Sequence, residues 1–129
     1  MIMRDISIMA LTAAAQLLFP LSGQDQDAAK GTGCQLSFDA GGSTYVYAIG
    51  HDFMIKTGAG RTVCRISDRQ FAALPNGGSQ SCAGHRLTIR ETGRVDIQEA
   101  SDNSSAPATL TVTNGDRSWT VHGNWGAAC

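Results

Sequence analysis

The stretch "ATLTVTNGDRSWTVH" occupies residues 108–122, and its rhythm decides the fold class. Ala108 and Leu110 alternate with Thr109 and Thr111, the period of two that belongs to a strand with one dry and one wet face. Trp119 and Val121 carry the same alternation after a break. The break contains Asn114-Gly115, the pair favoured by a two-residue type I′ turn because both central residues there need positive φ. Setting Thr113 opposite Asp116 places Leu110 against Trp119 and Ala108 against Val121 on the core side. Thr109 then faces Thr120, and Thr111 faces Ser118, on the wet side.

Working outward, the same alternation recurs from residue 33 onward, cut by glycine-rich turns every 8 to 12 residues or so. Strands are expected at 34–39, 43–49, 52–57, 61–66, 85–90, 94–99, 108–113 and 116–122. Eight strands in succession predict an all-β antiparallel meander, closed as a barrel or folded as a two-sheet sandwich. Closure removes exposed edges and brings the first strand beside the last. Ser67-Asp68-Arg69-Gln70 has the form of a capping box, with Pro75 as a stop, so one short helix is expected there. Residues 76–84 read as a polar flap.

The chain has 129 residues, 10 Lys and Arg against 11 Asp and Glu, and four cysteines. One small, nearly neutral domain follows, with no basic field for nucleic acid. The mostly apolar stretch from Ile6 to Leu21 has 16 residues, short of the roughly 20 that span a membrane as a helix. Lying behind Arg4 and ending at Ser22-Gly23, it reads as an export signal over 1–23, with a buried or amphipathic helix as the competing reading. The ending resembles a lipoprotein signal, but Gln24 stands where a lipid-bearing cysteine would be, so no stable membrane anchor is expected. Residues 24–33 then form a flexible arm ahead of a β domain over 34–129. Export to the periplasm or the medium suits cysteines that form disulfides. Cys34, Cys64, Cys82 and Cys129 permit three pairings, of which the strand order favours Cys34–Cys129 and Cys64–Cys82.

Candidate binding residues come from local registers. A three-residue loop at Glu91-Thr92-Gly93 would set Ile89 against Val95 and Leu87 against Ile97. It would also put Arg90 beside Arg94 on the outer face, with Arg86 along the same face. Like charges so placed repel unless a carboxylate, of this chain or of a partner, relieves them. Tyr45 and Tyr47 are two apart, so a regular strand puts them on one face, either buried or exposed as an aromatic contact pair. Trp125 in "HGNWGAAC" plugs a barrel end or joins a contact surface. His51, His85 and His122 lie at expected strand ends or turns, where a solvated imidazole is ordinary. No motif for a catalytic nucleophile, metal site or cofactor is present, so no catalytic residue, metal or cofactor is expected.

"GCQLSF" at 33–38, Cys64 and "GHRLTIRETGRVDI" at 84–97 together resemble the small periplasmic inhibitors of secreted metalloproteases. The resemblance covers about 65 residues and departs from the family in lacking a tryptophan ahead of Gly84 and in carrying two extra cysteines. It implies an eight-stranded barrel, a Cys34–Cys64 disulfide, and an arm over 24–33 that enters a protease cleft. The function expected is therefore binding of another protein, as inhibitor or recognition module, through the arm, the loop 75–84 or the loop "SDNSSAP" at 101–107. The alternative is a carrier of one small apolar ligand, held between Leu36, Phe38, Phe53, Leu87, Ile97 and Trp119.

Overall fold

The structure, a computed structural model, describes residues 15–74, 78–98 and 102–129. Among these residues two short helices and nine strands follow one another: α1 (Gly23–Gln26), β1 (Gln35–Ala40), β2 (Ser43–Ile49), β3 (Asp52–Thr57), β4 (Gly60–Arg65), α2 (Asp68–Ala73), β5 (Ser79–Cys82), β6 (His85–Glu91), β7 (Asp96–Gln98), β8 (Asn103–Asn114) and β9 (Arg117–Ala128). All pairings are antiparallel and lie in one sheet of order β4-β3-β2-β1-β9-β8-β6-β5, with β7 on β8. The sheet curls into a nearly closed eight-stranded barrel. As the sequence rhythm predicts, the first strand lies beside the last, Phe38 opposite Trp125.

The seam falls in mid-chain. β4 and β5 are not hydrogen-bonded neighbours, and the Cys64–Cys82 disulfide joins them across a Cα separation of 5.9 Å. The second disulfide, Cys34–Cys129, ties the start of β1 to the end of β9. Both pairings are those the strand order favours, and the Cys34–Cys64 bond implied by the family resemblance is not formed. Disulfides of this kind persist in oxidising surroundings. By chain entropy the loop of 95 residues contributes about 4 to 5 kcal/mol and the loop of 18 about 3.

Three registers depart from expectation. The last hairpin turns on Gly115-Asp116, so Asn114 pairs with Arg117, Val112 with Trp119 and Leu110 with Val121. Gly115 has φ of 60°, and Asp116 is not among the non-glycine residues with positive φ; that combination is the II′ turn, with glycine first. A slip of two residues leaves every side chain on its expected face. Residues expected as a flap contain β5, whose burial alternates through Gln80 and Cys82. It turns into β6 at Ala83-Gly84, both at positive φ.

The third departure removes a hairpin. β6 and β7 do not pair with each other. Both lie along β8, from Arg86 opposite Thr113 to Glu91 opposite Ala108, then from Asp96 opposite Ser105. The cause is Pro107. Its carbonyl accepts from Thr92 N–H at 2.8 Å, so the side of Pro107 facing this edge is also the side on which it has no N–H to give. The ladder breaks there, and Thr92 to Val95 bulge around it before pairing resumes. A Cβ on Gly93 would stand 2.9 Å from Pro107 Cγ. Val95 and Ile97, expected opposite Ile89 and Leu87 in the core, are instead exposed, and residues 103–107 of the expected loop are strand.

The interior is filled by Leu36, Phe38, Val46, Phe53, Ile55, Leu87, Leu110 and Trp125, each large side chain worth about 1.5–3 kcal/mol of burial. α2 forms where predicted. Ser67 Oγ accepts from Gln70 N–H, and the Gln70 side chain accepts from Ser67 N–H at 2.7 Å. Pro75, expected to stop it, lies outside the described residues, as do residues 1–14 of the expected signal.

Candidate functional site

The two halves of the barrel present opposite kinds of outer surface. On β5, β6, β8 and β9 the outward positions are Ser79, Ser81, Arg86, Thr88, Arg90, Thr109, Thr111, Thr113, Ser118, Thr120 and His122, set side by side by the registers. Hydroxyl and guanidinium groups alternate there, and no outward position of this patch carries an acid. Thr88 bonds Ser79 across the strands at 2.9 Å, and His122 Nδ1 lies 3.1 Å from Thr109 Oγ1. Arg86 and Arg90 are exposed and enter no ion pair among the described residues. Four residues apart on one strand, they stand about 13 Å from each other. A pair of free, planar forks on a rigid sheet is suited to carboxylate recognition.

On β2 and β3 the outer surface is covered by the chain itself, while Arg61, Val63 and Arg65 of β4 stay exposed. Residues 15–32 run across it. Phe19 N–H donates to Lys56 and Leu21 N–H to Thr44, both at 2.8 Å. Leu21 packs on Tyr47 and Met54 with Ala28, Ala29 and Ile49 around them, and Leu17 and Leu18 enter the main core. α1 is capped by Ser22 and Asp25 reciprocally. Asp25 also pairs with Lys56 at 3.1 Å and Arg61 at 3.5 Å. The Ser22 backbone N–H, then Lys56, hold the Asp25 carboxyl down at about 2. Burial, assisted by the charge of Asp27, pushes the Tyr47 phenol above its ordinary value.

The sequence-selected residues are thus separated. Arg86 and Arg90 share the bare face, but the expected opposition of Arg90 and Arg94 does not occur. Arg90 pairs with Thr109, and Arg94 sits exposed in the bulge opposite Pro107. Tyr45 and Tyr47 do not share a face. The register of β1 on β2 shifts between Phe38 and Asp39, so Thr44 pairs with Asp39, Val46 with Phe38, and Tyr45 is the extra residue of a bulge. Tyr45 turns inward to meet Trp119 edge-on, ring centres 5.5 Å apart, while Tyr47 points outward beneath Leu21. Neither forms an exposed aromatic contact. Trp125 belongs to β9 and is 3% exposed between β1 and β8, so it is core and not contact surface. Its indole Nε1–H is buried without a partner among the described residues.

Other polar groups engage one another. His85, expected to be solvated, is buried; its Nδ1 lies 2.8 Å from the Ala83 carbonyl and its Nε2 3.3 Å from the Asn114 amide. Beside α2 a cleft of ≈ 380 Å³ is lined by Lys30, His51, Asp52, Arg65 and Asp68 among others. Within it Asp52 accepts from Lys30 N–H at 2.6 Å and pairs with Arg65 at 3.7 Å, while His51 donates to Ile66 and meets Asp68 at 3.4 Å. Among the described residues all four cysteines are in disulfides and no three metal-ligating side chains converge. No described helix is long and apolar enough to cross a membrane. The bare face was half legible: Arg86 and Arg90 stood out in sequence, whereas the threonine ladder of 109, 111 and 113 was read only as a wet face. No family model matches the chain, and no curated protein and no solved structure matches it either.

Proposed function

We propose that this is an exported binding module that recognises an acidic surface of another protein, as an inhibitor or recognition domain, through the outer face of β6, β8 and β9. The observation that carries this reading is the pair Arg86 and Arg90, exposed on rigid strands and unpaired among the described residues. Lys56, Arg61 and Arg65 on the opposite half all have carboxylate partners. Cations left free on a ready-made, low-entropy platform gain most when a partner brings the missing carboxylates and excludes water. The two disulfides support action in an oxidising compartment, the periplasm or the medium.

The carrier alternative has less behind it. Leu36, Phe38, Phe53 and Leu87, named as walls of a ligand cavity, are buried against one another and against Leu18, and Ile97 is exposed.

Affinity capture from the extracytoplasmic fraction of the native host tests the reading, with the wild type run beside Arg86→Glu/Arg90→Glu at low and high salt. The expected result is a protein retained by the wild type, released by salt, and not retained by the double variant. Equal retention by both chains would remove the arginine face from the mechanism.

A further inference from the structure

We propose that the chain is processed between Ala15 and Gln16, and that the working protein begins with a built-in plug, Gln16 to Leu21, which seals one barrel end. The inference rests on the export reading above and fixes where the leader stops.

Two independent observations meet at this bond. One is the sequence ahead of it. Arg4 precedes the uncharged, mostly apolar run from Ile6 to Thr12, and Ala13-Ala14-Ala15 then supplies small residues at the first and third places before the cut. Signal peptidases read that A-x-A arrangement directly. A cut after Gly23 would place Leu21, a large side chain, at the third position.

The other observation is what lies behind the bond. Leu17, Leu18 and Leu21 are 3%, 0% and 5% exposed, and Leu18 sits in the same cluster as Phe38 and Phe53. Phe19 and Leu21 donate backbone hydrogen bonds to β3 and β2. Cutting after Gly23 would strip these leucines from the core, remove both hydrogen bonds, separate Asp25 from its cap Ser22, and take Leu21 off Tyr47 and Met54. Cutting after Ala15 removes none of them. Ala15 and Gln16 are themselves exposed and Leu17 and Leu18 directly behind them are buried, so the proposed bond lies just ahead of the first residues the core requires. Chemically, the host's signal peptidase adds water across the Ala15–Gln16 peptide bond, leaving a carboxylate on Ala15 and a free α-amine on Gln16.

The full chain should be expressed in an exporting bacterial host, and the extracytoplasmic protein examined by intact mass and N-terminal sequencing. A first residue of Gln16, or its pyroglutamyl form in which the new amine has displaced ammonia from the side-chain amide, supports the proposal. A first residue elsewhere in an exported, disulfide-bonded protein overturns the cleavage site and leaves the export reading standing. An uncut chain with free thiols overturns the export reading itself. In the same host Ala13→Leu/Ala15→Leu should accumulate as uncut precursor, and processing of that variant at the wild-type rate would also overturn the proposal.

Discussion

The half of the barrel built from β1 to β4 and the half built from β6 to β9 belong to one antiparallel sheet, yet one is wrapped and buried on both sides of β2 and β3 while the other alternates and is bare. On the wrapped half the N-terminal segment supplies leucines to the core, covers Tyr47 and Met54, and brings Asp25 to Lys56 and Arg61. On the bare half β8 and β9 run to 12 residues each, the outward residues across β6 and the facing parts of β8 and β9 are threonine, serine, histidine and arginine, and nothing described neutralises Arg86 or Arg90. On the wrapped face the chain's own residues hold the fold; on the bare face Arg86 and Arg90 stay unmatched among the described residues, and the proposed recognition role rests on that contrast.

Breaking the ring where the halves meet should have the largest effect. Replacing Cys34 and Cys129 by alanine frees the loop of 95 residues and should cost about 4 to 5 kcal/mol in denaturant unfolding of the oxidised protein. A loss under about 1 kcal/mol would mean that the β1–β9 ladder closes the ring unaided. Next comes the wrapped half. Leu18→Ala removes a fully buried side chain and should cost about 2 to 5 kcal/mol by the same measurement. Gly123→Ala tests the joint between β9 and β1, because a Cβ there would run into the Asp39 carbonyl oxygen. A loss of about 1 to 3 kcal/mol is expected from the overpacking.

Acid should loosen the wrapped half selectively. The Asp25 carboxyl titrates at about 2 in the folded chain against an ordinary 3.8, so its contribution is complete above 3.8 and disappears as pH falls toward 2. The protection of the Phe19 and Leu21 amides, taken relative to intrinsic exchange at each pH, should therefore fall across that window, and Asp25→Asn should remove the Asp25-linked part of that change. On the bare half, Arg86→Ala/Arg90→Ala should change stability by less than about 0.5 kcal/mol while weakening partner binding at least about tenfold, or about 1.4 kcal/mol. A large stability loss would show that the two arginines serve the fold.

Much of this division was legible in the sequence, and the failures have local causes. The faces of β8 and β9 followed from alternation alone, since a register error of two preserves parity; the turn itself moved because Gly115 could serve as the first turn residue as well as the second. The closing disulfides followed from strand order. Thr92-Gly93 looked like a turn, and the competing signal was Pro107, 15 residues later in sequence but adjacent across the ladder. The Tyr45 bulge left no mark in composition. The apolar residues 17–21 suit the hydrophobic stretch of a signal and a protein core equally in sequence, and the structure adds that Leu17, Leu18 and Leu21 are buried.

A photo-crosslinking residue installed at Thr111, in the middle of the bare face, and separately at Val63 on the exposed surface of β4, tests the division most directly. With the extracytoplasmic fraction of the native host, a discrete protein adduct should form from position 111, fade at high salt and vanish in the Arg86→Glu/Arg90→Glu background, while position 63 yields none. An adduct from position 63 that survives the double substitution, with none from position 111, would contradict the assignment of recognition to the bare half.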